Sequence, residues 1–176
     1  MKTKADIIMQ TMNILFWIIF IGLCIKTGAL LVSFFSSLFS SPESASDLFI
    51  GYDLLTIYGL DTYQYVLIAS FILILTGLKA YIAYLVIKIS IKFDLKNPFS
   101  LRTANLIQKI SKIAVFTGLL AMIASRYCDW LFKKFEIAER IDLGGSETLF
   151  FAGILFIIGH VFKRGVELQS ENELTI

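Results

Sequence analysis

The chain has 176 residues, of which 57% are hydrophobic and only 17% charged, with a net charge of +2 and a mean hydropathy of +0.76. A soluble domain has roughly a quarter of its residues charged; here long stretches carry almost no charge, the pattern of a chain whose solvent is lipid. The length suits one domain, and so small a net charge without a concentrated patch argues against direct contact with nucleic acid.

Each crossing of a bilayer needs about 20 apolar residues, and four segments qualify. The first helix is expected over about 7–39, with Ile7–Ile25 as the core of the span and Lys26 snorkelling at the far interface. Its remainder, Leu30–Phe39, either prolongs a tilted helix or lies along the membrane surface. Lys2 and Lys4 precede this run, as in a signal peptide, but it is far longer than the 7–15 residues of such a segment, so a retained helix is expected. The second helix is expected over about 63–92, the third over about 101–128 and the fourth over about 147–165, followed by a tail, 166–176. The expectation is therefore an all-α integral membrane four-helix bundle forming a single transmembrane domain over 1–176.

Charge in the connections sets the orientation. Lys2 and Lys4 lie at the N-terminus. The first connection carries Glu43, Asp47, Asp53 and Asp61 and no lysine or arginine. The second is basic, with Lys88, Lys92, Lys96, Arg102, Lys109 and Lys112 against Asp94. The third is mixed, and Lys163 and Arg164 follow the fourth helix. Both termini and the central basic loop are expected on the cytoplasmic side of a bacterial inner membrane. The two external connections have room for short interfacial elements. One such stretch, Asp129–Phe135, reads as a surface helix or half a hairpin before a turn at Gly144-Gly145.

Lys79 stands out as a possible intramembrane polar site. It lies nine positions before Lys88, about 13 Å of helix, which places it near mid-bilayer, where a charge faces the bundle interior or a water-filled cavity. It reads as an ion, proton or ligand site, or as a lysine that snorkels or pairs structurally, and no intramembrane carboxylate is an obvious partner. Arg126 and Asp129, three apart at the outer end of the third helix, are expected to pair. Cys24 and Cys128 read as buried free thiols or as a disulfide across two outer helix ends. His160 reads as an interfacial hydrogen-bonding residue or a pH sensor. With one histidine and two distant cysteines there is no metal-ligand spacing, no cofactor is expected, and no nucleophile–base or phosphate-binding motif suggests an enzyme.

In the central loop, Pro98 ends the second helix and pushes Asn97 out of the α region. Ser100 can then cap the third helix, and Phe99 anchors the turn in the interface. The tail, Gly165 to Ile176, is acidic and ends in apolar residues.

Asn97-Pro98-Phe99, with the basic start of the third helix, resembles a motif of a bacterial family of small four-helix membrane proteins of unknown function. The ending Phe162, Gly165, Leu168, then Glu171-Asn172-Glu173-Leu174-Thr175-Ile176, is similar to that family's C-terminus. The resemblance covers nearly the whole chain. Members are often encoded beside a small helix-turn-helix DNA-binding protein, which implies a membrane protein that holds or releases a regulator; no catalytic residues come with the family. The expected docking surface is then Asn97, Pro98, Phe99 and Arg102 with Glu171, Glu173 and Leu174. The competing expectations are a small transporter or channel subunit using Lys79, and an accessory subunit of a larger complex. Gly22, Gly28, Gly77, Gly118 and Gly153 would then permit close helix packing within the chain or in a homo-oligomer.

Overall fold

The computed structural model describes residues 4–39, 54–92, 99–137 and 141–173. Five helices follow one another: α1 (Lys4–Phe39), α2 (Leu55–Leu60), α3 (Thr62–Lys92), α4 (Leu101–Lys134) and α5 (Gly145–Glu173). No strand occurs among the described residues. Four helices, all but α2, are long and apolar enough to cross a membrane, so this is a multi-pass membrane protein built as an all-α bundle.

The four long helices alternate in direction. The first residue of α1 and the last of α5 therefore lie at one end of the bundle, called here the terminal end; the opposite one is the loop end. α1 packs on α3, α3 on α4 and α4 on α5, while α1 and α5 make no direct packing contact among the described residues. The bundle is thus an open arc. Its gap is a largely apolar groove of about 440 Å³ that all four helices line, with Met12, Phe16, Val86, Ser90, Ile110 and Phe151 among its walls.

Several helix ends depart from expectation. Leu30–Phe39 does not: it takes the first of its two expected courses and prolongs α1, where Leu30 and Ser37 are buried. Asp129–Lys134, expected as a separate surface element, forms the last turns of α4. Leu131 and Phe132 extend the buried stripe that contains Ala124 and Cys128, leaving Trp130 and the lysines outside. The helix closes with Glu136 in the left-handed region (φ 54°), where Ile137 N–H reaches the Phe132 carbonyl at 2.9 Å, a Schellman ending. α5 runs on to Glu173 rather than ending near 165.

The helix starts follow capping chemistry. The Ser100 hydroxyl accepts the Thr103 N–H at 3.2 Å, as the sequence predicts. Asp61 does the same for α3, accepting the Tyr63 N–H at 2.9 Å. The main core sits at the loop end, where Leu54 and Ile57 of the α2 segment pack with Tyr65, Ile68, Cys128 and Leu131. Ser37 and the Tyr65 hydroxyl, both buried, share a hydrogen bond of 2.6 Å.

Candidate functional site

The connection from α4 to α5 does not stay at the loop end. A Cβ built on Gly145 would lie 2.8 Å from the Met122 backbone nitrogen, so α5 begins level with Met122, about 18 Å below the end of α4 at 1.5 Å per residue. The segment Ile141–Gly144 therefore threads down among the helices, with Ile141 and Leu143 buried. Irregular backbone inside a membrane protein needs protein partners for its polar groups. Four side chains supply them. Ser125 Oγ accepts the Leu143 N–H at 3.3 Å, and Lys79 Nζ donates to the Leu143 carbonyl at 3.3 Å. Asp142 accepts the Gly144 N–H at 2.9 Å, and Gly144, at φ 68°, offers its carbonyl to the Thr148 N–H and hydroxyl at the start of α5.

Lys79 thus lies in a polar cleft of about 230 Å³, with Lys26, Thr76, Asp142 and Leu143 among its walls. Lys26 brings a like charge towards it, and Asp142 and Glu147 bring opposite ones. The Lys26, Asp142 and Leu143 contributions were not legible in the sequence. Lys26 is 53 positions from Lys79 and Leu143 is 64, and only the Gly144-Gly145 turn hinted that the last connection could approach other backbone closely. Chemically the cleft offers two ammonium groups, a hydroxyl and a carboxylate, a set suited to holding a small polar or anionic group.

The residues expected at the docking surface distribute differently. Asn97, Pro98 and Leu174 lie outside the described residues, as does the side chain of Glu173. Phe99 is partly exposed beside the start of α4. Its ring packs on Phe162 with centroids 5.4 Å apart and covers Gly165 so closely that no Cβ fits there, clamping the terminal ends of α4 and α5. Phe99→Ala is expected to loosen this clamp, costing about 2 kcal/mol for a partly exposed aromatic and raising proteolysis after Lys163 and Arg164 in the purified protein. Arg102 is exposed in the first turn of α4 and Glu171 near the end of α5, on the same end of the bundle. Arg164 and Glu167 pair at 2.9 Å on the part of α5 beyond Phe162.

Other expectations resolve plainly. Arg126 and Asp129 share a surface recess with Ser125, Asp142 and Ser146 but form no ion pair with each other. Cys24 and Cys128 are both free, the first exposed and the second buried, so the disulfide alternative does not hold. His160 is exposed and meets the Phe156 ring edge-on, with centroids 4.5 Å apart. Among the described residues no group of His, Cys, Asp or Glu could hold a metal ion. Comparison with known protein families, with characterised proteins and with solved structures finds no match to this chain.

Proposed function

We propose that this chain is a membrane-embedded sensor or regulator of a bacterial cytoplasmic membrane, with both termini inside, that engages a small cytoplasmic DNA-binding protein. The supporting observation is the continuity of α5. One unbroken helix runs from Gly145, beside the Lys79 cleft, to Glu173, and it contains no proline to bend it. Occupation of the cleft, or a change in membrane packing, would move α5 as a rigid body and so displace its far end. At that end the Phe99 clamp ties the movement to Arg102 and the basic start of α4, while the acidic tail that includes Glu171 would meet a basic partner. The motif resemblance to proteins encoded beside helix-turn-helix regulators supports the same partner class.

The test is in-cell cross-linking and mild-detergent purification of the full chain and of one lacking residues 167–176. A small basic DNA-binding protein that co-purifies with the full chain, and is lost with the tail, is the expected outcome. Recovery of the same partner without the tail refutes the docking surface; recovery of only membrane subunits refutes the regulator.

A small transporter or channel subunit receives less support. The Lys79 cleft is polar, but towards the terminal end the buried residues of α3 are Ala80, Leu85 and Ile87 and the groove beyond them is lined mostly by apolar side chains, with Ser90 the exception. Flux that survives Lys79→Leu would count against it further.

A further inference from the structure

α4 exposes a cationic stripe where its neighbour α5 exposes mostly apolar side chains. Arg102, Asn105, Lys109 and Lys112 are all exposed, and their spacing of three, four and three places them on one face of the helix. Two contacts establish how deep that stripe reaches. Gly159 of α5 packs against Ile107 and Gln108, and Ser111 Oγ donates to the Ala152 carbonyl at 3.2 Å. Lys112, next to Ser111, is therefore level with Ala152, which precedes the basic pair Lys163-Arg164 by 11 positions, about 16 Å of helix. Over that length α5 exposes Ile154, Phe156, Ile157 and Val161 to its surroundings. Lys112 thus stands at hydrocarbon depth, while Lys109, next to Gln108 and so near the level of Gly159, stands between it and the basic pair, where its stem extends towards the surface.

An unpaired cation there is costly, and no described carboxylate pairs with either lysine. What adjoins Lys109 is aromatic. Lys109 Nζ lies 5.5 Å above the centroid of the Tyr81 ring, Tyr81 stacks with Tyr84, and both tyrosines are exposed. Lys88 lies one turn beyond Tyr84 on the same face of α3. The adjoining faces of α3 and α4 therefore combine ammonium groups, a guanidinium and phenolic hydroxyls in the leaflet next to the chain termini.

We infer that this α3/α4 face binds an anionic phospholipid of that leaflet, its phosphate met by Arg102, Lys109 and Lys112. A lipid fits because it reaches the site from the bilayer itself and holds its negative charge at the interface towards which the lysine stems extend. Arg102 suits a phosphate's paired oxygens, tyrosine hydroxyls can donate to one, and basic sites between helices near this interface hold lipid headgroups.

The test is thermal unfolding and native mass spectrometry of the detergent-purified full chain, titrated with phosphatidylglycerol, phosphatidylcholine or inorganic phosphate. The expected result is stabilisation and retained lipid with phosphatidylglycerol alone. Lys109→Gln and Lys112→Gln should each weaken that binding about fivefold, while Lys133→Gln, exposed at the opposite end, leaves it unchanged. Equal binding of phosphatidylcholine, an equal effect of inorganic phosphate, or unaltered affinity in the Lys109→Gln/Lys112→Gln variant overturns the proposal. So does cross-linking from position 109 that captures a second copy or another membrane subunit, since the face is then a protein interface.

Discussion

Gly145→Ala is expected to lower the stability of the detergent-solubilised protein by about 2 kcal/mol or more, a fall of about 5 °C in unfolding midpoint for a chain of this size. The clash is with backbone, not with a side chain that can swing away. The added Cβ would meet the Met122 nitrogen at 2.8 Å and its Cα at 3.1 Å, so α4 and α5 must separate. Helices in a membrane are held chiefly by close van der Waals packing, which makes that separation expensive along the most extensive interface of the bundle. Gly118→Ala meets the Leu149 side chain at 2.7 Å and its nitrogen at 3.0 Å and should fall in the same direction. Gly153→Ala and Gly77→Ala provide the contrast. Nothing lies within 4 Å of a Cβ at either position, so both should be neutral or stabilising by up to about 1 kcal/mol through helix propensity. Equal effects at Gly145 and Gly153 would show that α5 does not start where the structure places it.

Lys79→Met should cost about 1–3 kcal/mol, because the buried Leu143 carbonyl then has no donor and its desolvation goes uncompensated. The near-isosteric methionine keeps the packing of the lysine stem, so the loss reports the ammonium group. Lys79→Arg should recover part of it, since a guanidinium can still donate. The measurement is the unfolding midpoint, read beside the rate at which a thiol reagent modifies Cys128, buried near the descending segment. A destabilised variant with faster Cys128 modification supports a lysine that holds the α4–α5 connection in place. A fully stable Lys79→Met protein would mean that the Leu143 contact carries no weight and that the ammonium is free to serve a ligand instead.

Both predictions depend on one feature that composition could not reveal. Lys79 was conspicuous in the sequence because a lone charge in an apolar run breaks the pattern that a lipid solvent imposes. Its partner was not legible, because that partner is a backbone carbonyl, and any residue type carries one. The Gly144-Gly145 pair marked a turn without saying that the turn lies deep against α4; that follows from a close approach to Met122, 23 positions away. Asp129–Phe135 was read as a separate amphipathic element for a related reason. Its alternation of apolar and charged residues suits an interfacial helix, and only the burial of Leu131 and Phe132 in the loop-end core shows that it continues α4. Phe99 is legible as an apolar residue in a polar loop, but its seat against Gly165 and Phe162 is not, because both lie more than sixty positions away.

The sequence alone determined that the chain spans a membrane, with how many helices, and where Ser100 starts one of them. These properties rest on solvent transfer and local capping, which act over one or two turns. The tertiary structure decided the rest: the order in which the helices pack, the gap between α1 and α5, the descent of Ile141–Gly144 to Lys79, and the placing of Lys109 and Lys112 beside the apolar flank of α5. Each depends on surfaces far apart in sequence meeting at atomic distance, and a pattern of apolar and charged residues specifies which faces are compatible without specifying which of them touch.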